Sequence, residues 1–402
     1  MKIKKVEGGL CAPQGFLAAG VHAGLKKYKK DIALIVSEQP ARSAGVFTQS
    51  RTVAACVVVD KEQLKKSATA RAIIVNSGNA NACTGKRGLK NTYQTISTAS
   101  AALGIPQSQI LVSSTGVIGQ FLPMDKITLG IFEAAKHLHK EGSKNAAEGI
   151  CTTDTFTKEY SVECEIGGRS VRIGGVAKGS GMIAPNMATM LAFITTDIDI
   201  TRPLLKQALK RATDLSFNRI TVDGDTSTND MVLILANGRA ENPIIEKEGA
   251  GYKIFCRALN EVLITLSKMI VKDGEGATKF IEVTVTGARS VNDAGIAART
   301  ICNSSLVKTA LHGEDANWGR ILAAVGRSGI SFDPDKTEIF FDTLRVLGKN
   351  YDISFSEALA KKILQRNEIT ISVDLHGGRH SATFWTCDLS KEYVHINASY
   401  RS

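Results

Sequence analysis

Eight cysteines are scattered through 402 residues without a Cys-x-x-Cys pair or a Cys/His spacing suited to a metal. Their low density excludes a disulfide framework and suits reduced thiols in a cytoplasmic protein. The seven histidines supply no metal pattern either. None accompanies a serine or cysteine nucleophile motif, and His376 and His380 flank the Gly377-Gly378 turn, a surface position by default. Membrane-length apolar runs are missing too. The uncharged stretch from Asn91 to Met124 is full of Ser, Thr, Gln, Gly and Pro, which makes it a poor membrane span. The opening MKIKKVEGGLCAPQG carries basic residues but no apolar core, so no secretory signal is expected. Internal repeats, low-complexity tracts and obvious linkers are absent as well.

What is present is ordinary globular material with a surplus of positive charge. Hydrophobic residues make up 43% and charged ones 22%, which is enough for a large core or two domains. The net charge of +11 suits acidic partners, either nucleic acid or small carboxylates. The basic clusters are Lys2, Lys4 and Lys5, then Lys26, Lys27, Lys29 and Lys30, and they lack the interleaved aromatics of a single-strand binder. They read as solvated surface, so small molecules are the expected partners and nucleic acid is not.

Short apolar runs alternate loosely with helical stripes. Ala72-Ile73-Ile74-Val75 reads as a buried strand that delivers the polar stretch Asn76 to Asn81, and Ile110-Leu111-Val112 does the same for Ser113 to Gly116. After Pro123, the residues Ile127, Ile131, Ala134 or Ala135, and Leu138 share one helical face. From the N-cap candidate Thr201, with Pro203 in the first turn, Leu205, Ala208, Leu209, Ala212 and Leu215 form a second stripe. Tyr252 to Val271 carries a third, with Phe255, Leu259, Val262, Leu266 and Met269 or Ile270. The period then falls to two at Ile281 to Val285 and again at Ile369 to Val373. Ser381 to Leu389 follows Gly377-Gly378, which predicts that the last two strands form a hairpin. The fold class is α/β, or α+β-like, with mixed β-sheets layered with helices.

Two familiar patterns fail on inspection. Gly179-Ser180-Gly181-Met182-Ile183-Ala184 matches G-x-G-x-x-A after a strand-like segment, but Pro185 sits where a helix interior is needed. The next apolar run, from Met190, comes too soon for a parallel crossover. Asp223-Gly224-Asp225-Thr226-Ser227 opens like a calcium loop, yet the sixth position is Thr228 and the twelfth is Ile234. A polar turn is the expected outcome there.

The segment KGSGMIAPNMATMLAFITTD, residues 178 to 197, places Thr189 after Ala188 at the head of an apolar run. A threonine hydroxyl is a weak nucleophile that needs a nearby base. An N-terminal threonine supplies one in its own α-amino group, with a reference pKa of about 7.7–8.0. Attack of the threonine Oγ on the Ala188 carbonyl, followed by ester hydrolysis, would create that terminus. Small or flexible neighbours and Pro185 suit such a cut.

That segment closely resembles the processing site of the glutamate N-acetyltransferase family, also called ornithine acetyltransferases. Further stretches along the whole chain are similar to the same family: AAGVHAG, AGVFT, NSGNANACTG, SSTGVIG, CTTDTFTK, DGDTSTND, DGEGATK, GEDANWGRI and NASYRS. The resemblance implies a self-processing fold related to aminopeptidases, cut between Ala188 and Thr189. Residues 1–188 would form an α chain and 189–402 a β chain. The two would stay together as one intertwined globular unit and assemble as a heterotetramer of two of each.

The resemblance also implies roles by motif. Thr189 is the nucleophile, and Thr115 and Gly116 form the oxyanion hole. Thr152 contacts substrate, with Thr153 as the near alternative. Lys178 pairs with a substrate carboxylate, Glu275 binds the substrate amino group, and Asn397 and Ser402 complete the contacts. The family usually ends in threonine where this sequence has Ser402, which keeps the hydroxyl and loses a methyl. The implied reaction is ping-pong transfer of acetyl from N2-acetyl-L-ornithine to L-glutamate in arginine biosynthesis. No metal or organic cofactor is implied, and acetyl-CoA as a second donor stays open. Two other readings stay open beside it: an aminopeptidase or amidohydrolase with an N-terminal nucleophile, and an uncleaved basic module for nucleotides or RNA.

Overall fold

A computed structural model of the chain describes residues 3–184 and 190–399. They divide into two compact units, one holding residues up to Asn218 together with Asp225–Ile270, the other holding Arg219–Gly224 and the chain from Val271. The predicted junction at 188/189 lies outside the described residues.

Among the described residues the first unit is built on a nine-stranded sheet. Its strands are β1 (Lys4–Val6), β2 (Phe16–Val21), β3 (Ile32–Phe47), β4 (Thr69–Asn79), β5 (Ile110–Val117), β6 (Lys158–Ile166), β7 (Arg169–Lys178), β8 (Leu191–Thr196) and β9 (Met231–Ala236). They lie in the order β1-β6-β7-β8-β9-β3-β4-β5, with β2 also paired to β3. Every residue of β8 (LAFITT) and β9 (MVLILA) is buried, as expected of strands covered on both faces. β8 and β9 run parallel to each other, while β8 is antiparallel to β7 from Ile173↔Thr196 to Lys178↔Leu191. That antiparallel pairing leaves no place for a crossover helix and disposes of the dinucleotide pattern.

The helical stripes bury as their spacing requires. Helix Met124–Lys136 buries Ile127, Ile131 and Ala134. Helix Arg202–Asp214 buries Leu205, Ala208, Leu209 and Ala212, while Leu215 lies past its end and is exposed. Thr201 has the extended backbone of an N-cap, yet its side chain accepts no capping hydrogen bond. In helix Ala250–Lys272 it is Ile270, not Met269, that is fully buried.

The second unit carries a five-stranded sheet of β10 (Phe280–Ala288), β11 (Glu338–Phe341), β12 (Leu344–Leu347), β13 (Glu368–Asp374) and β14 (His380–Cys387), ordered β12-β11-β13-β10-β14. The expected terminal hairpin does not form. β13 pairs parallel to β10, and β14 pairs antiparallel to β10 on its other side. Alternation tells which face of a strand is buried but not which strand lies beside it. The Gly377-Gly378 connection instead passes close over the end of β10. A Cβ on Gly378 would stand 2.3 Å from the Ala288 carbonyl oxygen, so the turn signal was a close-approach signal.

All eight cysteines are free. Burial pushes the thiols of Cys56, Cys151 and Cys302 up to about 12, which keeps them inert. Among the described residues no helix is long and apolar enough to cross a membrane.

Phe193 is fully buried at the middle of β8 and belongs to the core of the first unit. Phe193→Ala should lower the unfolding free energy by about 3–5 kcal/mol, read as a fall in the denaturant midpoint at unchanged slope.

Candidate active site

The polar stretches after the two apolar runs continue parallel strands, β4 as far as Asn79 and β5 as far as Val117. Ser77 of β4 stands opposite Thr115 of β5, and Gly78 opposite Gly116. Gly116 has φ +130°, and a Cβ there would lie 2.3 Å from the Gly78 carbonyl carbon. Any side chain would push the two strand ends apart. Side-chain amides lock the neighbouring motifs together. Asn76 donates to the Asn79 carbonyl at 2.8 Å and accepts from the Ser114 hydroxyl at 2.7 Å. Asn229 donates to the carbonyls of Ala80 and Ser114 at 2.6 and 2.8 Å. Thus NSGNANA, SSTG and STND, far apart in sequence, form one hydrogen-bonded frame around Thr115 and Gly116.

Lys178, the last residue of β7, is almost fully buried, and its Nζ lies 3.5 Å from Thr115 Oγ1. Behind it sits Asp154, fully buried and paired at 2.7 Å with the equally buried Lys158. The same carboxylate accepts the N–H of Gly179 at 2.8 Å and the N–H of Thr152 at 2.9 Å. Burial alone would raise the Asp154 pKa. Lys178 and Lys158, with the Gly179 N–H, outweigh it and hold the carboxyl well below the usual carboxylate range. Asp154 therefore ties the predicted substrate contact Thr152 to the predicted cation Lys178. On Asp230 burial prevails instead, raising its pKa well above the ordinary value. One of its oxygens has no hydrogen-bond partner, and the field of Lys178 only partly offsets the burial.

Lys26 corrects the reading of its cluster as solvated surface. It is half-buried, and its Nζ donates to the Cys151 carbonyl at 2.8 Å. Burial pushes its ammonium down to about 8, against the favourable fields of Asp31 and Asp154. Its neighbours Lys27 and Lys29 are exposed, as expected.

In the second unit, Glu275 is nearly buried, and its Oε2 accepts from Asn397 Nδ2 at 2.8 Å. Gly276 beside it has φ +68°, and a Cβ there would lie 2.5 Å from the Tyr393 nitrogen. That close approach seats the DGEG turn against the helix Lys391–Ser399 that carries Asn397. The predicted site residues thus gather in two groups: Thr115, Gly116, Thr152 and Lys178 in one unit, Glu275 and Asn397 in the other. Ala188, Thr189 and Ser402 lie outside the described residues. On the near flanks, Ile183 is fully buried and the Met190 carbonyl accepts from Met231 N–H at 3.1 Å. Motif reading assigns no role to Asp154, Asn76, Asn229 or Lys26, although each but Lys26 stands inside a quoted motif. Among the described residues no group of three or more His, Cys, Asp or Glu could hold a metal.

The family model described as ArgJ matches residues 17–402. Over 398 residues the chain is 51% identical to the arginine biosynthesis bifunctional protein ArgJ of Symbiobacterium thermophilum, covering 98% of this chain and 99% of that one. It is 48% identical over 404 residues to the protein of the same name from Bacillus subtilis, covering 100% and 98%. A crystal structure of ornithine acetyltransferase with ornithine from Mycobacterium tuberculosis is 38% identical, covers 46% of this chain and 100% of that one, and superposes with a TM-score of 0.44.

Removing the Asp154 carboxylate would strand Lys158 as an uncompensated buried charge. Asp154→Ala should cost about 3–5 kcal/mol, and adding Lys158→Met should recover a large part of it in denaturant titrations. The folded pKa of Asp154 lies below its ordinary 3.8, so its contribution is complete above that value and is lost as pH falls below it. The difference between wild type and the double variant should therefore shrink in acid.

Proposed function

Starting from the chain's membership of the ArgJ family, we propose that it transfers the acetyl group of N2-acetyl-L-ornithine to L-glutamate through an acetyl ester on Thr189. The observation that carries this reading is the meeting of Lys178 with Thr115 beside Gly116, at the strand ends just upstream of the Ala188-Thr189 junction. Self-cleavage there bares the α-amino group of Thr189, the base that takes the hydroxyl proton as Oγ attacks the acetyl carbonyl. The oxyanion is received by the Gly116 N–H and the Thr115 hydroxyl. Lys178 fixes the sense of that hydroxyl. An ammonium only donates, so Thr115 Oγ1 accepts from Lys178 and keeps its own proton for the oxyanion.

Collapse of the tetrahedral intermediate breaks the amide C–N bond, and ornithine leaves with the proton held by the α-amine. Glutamate then attacks the ester by the reverse path and regains Thr189 as a free hydroxyl. By the family pattern Lys178 pairs with a substrate carboxylate, Thr152 contacts the substrate, Glu275 binds the substrate amino group, and Asn397 and Ser402 complete the contacts. No step calls on a metal or organic cofactor, and acetyl-CoA would enter as a second donor to the same threonine. The two pieces stay together because β8 and β9, from the later piece, lie between β7 and β3 of the earlier one. In the same pattern two copies of each piece assemble, in the cytoplasm.

Denaturing electrophoresis of the purified protein should give two bands, residues 1–188 and 189–402, which co-elute under native conditions. Thr189→Ala should stay a single band and form no N-acetylglutamate from acetylornithine and glutamate. Thr115→Val should lower kcat by about 10²–10³-fold. Release of free acetate, with no acetyl reaching added glutamate, would mark a hydrolase instead and overturn the proposal.

A further inference from the structure

We propose that Lys26 is the cation that receives the side-chain carboxylate of the acceptor glutamate. The assignment rests on the transfer reaction proposed above and deepens it. Donor and acceptor differ at one end: ornithine ends in an ammonium, glutamate in a second carboxylate. One substrate carboxylate is taken by Lys178, so the acceptor brings an anion that the donor lacks. Among the described residues the lysines around the Thr152 loop are Lys26, Lys29, Lys158 and Lys178, and the Cys151 thiol feels Lys26, Lys158 and Lys178. Lys29 is exposed to solvent, with its Nζ 3.5 Å from the Asp154 carbonyl. Lys158 is fully buried and neutralised by Asp154 at 2.7 Å. Lys26 is left.

Its placement suits the role. The Lys26 stem packs on Gly78, where an added Cβ would lie 3.1 Å from Lys26 Cγ, and Gly78 is the strand partner of Gly116. Its Nζ reaches the carbonyl of Cys151, the residue before Thr152. The ammonium is thus tethered beside both the oxyanion strand and the substrate-contact loop. An ammonium has three N–H groups, and the carbonyl takes one, leaving two for a carboxylate. Asp31, buried nearby, holds the backbone rather than the cation. Its oxygens accept N–H bonds from Ala23, Leu25 and Lys26 at 2.6, 2.7 and 3.0 Å. The charged groups that act on Lys26 are Asp31, Lys29 and Asp154.

The test uses the self-cleaved protein with acetylornithine as donor and glutamate or glutamine, its uncharged isostere, as acceptor. Lys26→Met should raise the KM for glutamate by about 10–100-fold, the loss expected of a hydrogen bond between charged groups. The KM for glutamine should move far less, so the preference for glutamate collapses. Lys26→Arg should keep the preference. Undiminished glutamate-over-glutamine preference in Lys26→Met overturns the assignment. Should that variant fail to fold, Lys26→Gln retains a donor for the Cys151 carbonyl without the charge and decides by the same comparison. Failure of every Lys26 variant to fold would make the residue structural and equally overturn the assignment. The burst of ornithine released without acceptor reports separately on the transfer reaction: its absence in the wild type sinks that reading, whereas a normal burst with unchanged preference sinks only the role of Lys26.

Discussion

The carboxylate of Asp154 holds together elements that the chain makes far apart. It meets the Lys158 ammonium, the N–H of Thr152 and the N–H of Gly179, all inside the protein. A buried ion pair gives little net stability against an apolar substitute, because desolvation offsets its Coulomb attraction. Its value lies in geometry. With both charges satisfied, the Thr152 loop and the end of β7 cannot drift apart without stranding one of them. Lys178, next in chain to Gly179, is thereby aimed at Thr115.

Charge balance around that carboxylate follows from the same constraint. Asp154 contacts Lys158 directly while also feeling Lys178, and burial keeps Asp230 from ionising readily. Asp31 is occupied with backbone N–H groups. Lys178 and Lys26 remain as cations held in partly desolvated surroundings, where each charge acts more strongly than it would in bulk water. A site of that kind favours carboxylate ligands without help from the surface lysines that dominate the net charge.

Much of this was legible in the sequence, for identifiable reasons. Helical stripes such as Ile127, Ile131 and Ala134 were visible because one residue in three or four must face the core. Thr115, Gly116, Thr152 and Lys178 stood in motifs similar to one family, and the fold brings them together. The parts that were missed depend on contacts between distant segments. Which strand lies beside β14 is decided by β10, about a hundred residues earlier, and alternation carries no trace of it. Lys26 sits in a run of lysines that differ only in which way the loop turns, and the buried Asp31 sets that turn through the backbone. Asn76 stood in a polar stretch and Asn229 in an expected polar turn, and only the meeting of β4, β5 and the segment before β9 shows what their amides bridge.

The order of strands in the large sheet also governs how the protein can be made. β1 to β7 all precede residue 179, yet β7 and β3 are not joined in one sheet until β8 and β9 lie between them. A nascent chain that has not yet emerged past Ala236 therefore carries two unsealed sheet borders. Such borders invite pairing with other chains. Translation must run well past the midpoint before the molecule can close on itself, so a ribosome stalled inside that window would leave a sticky half-product for chaperones to shield.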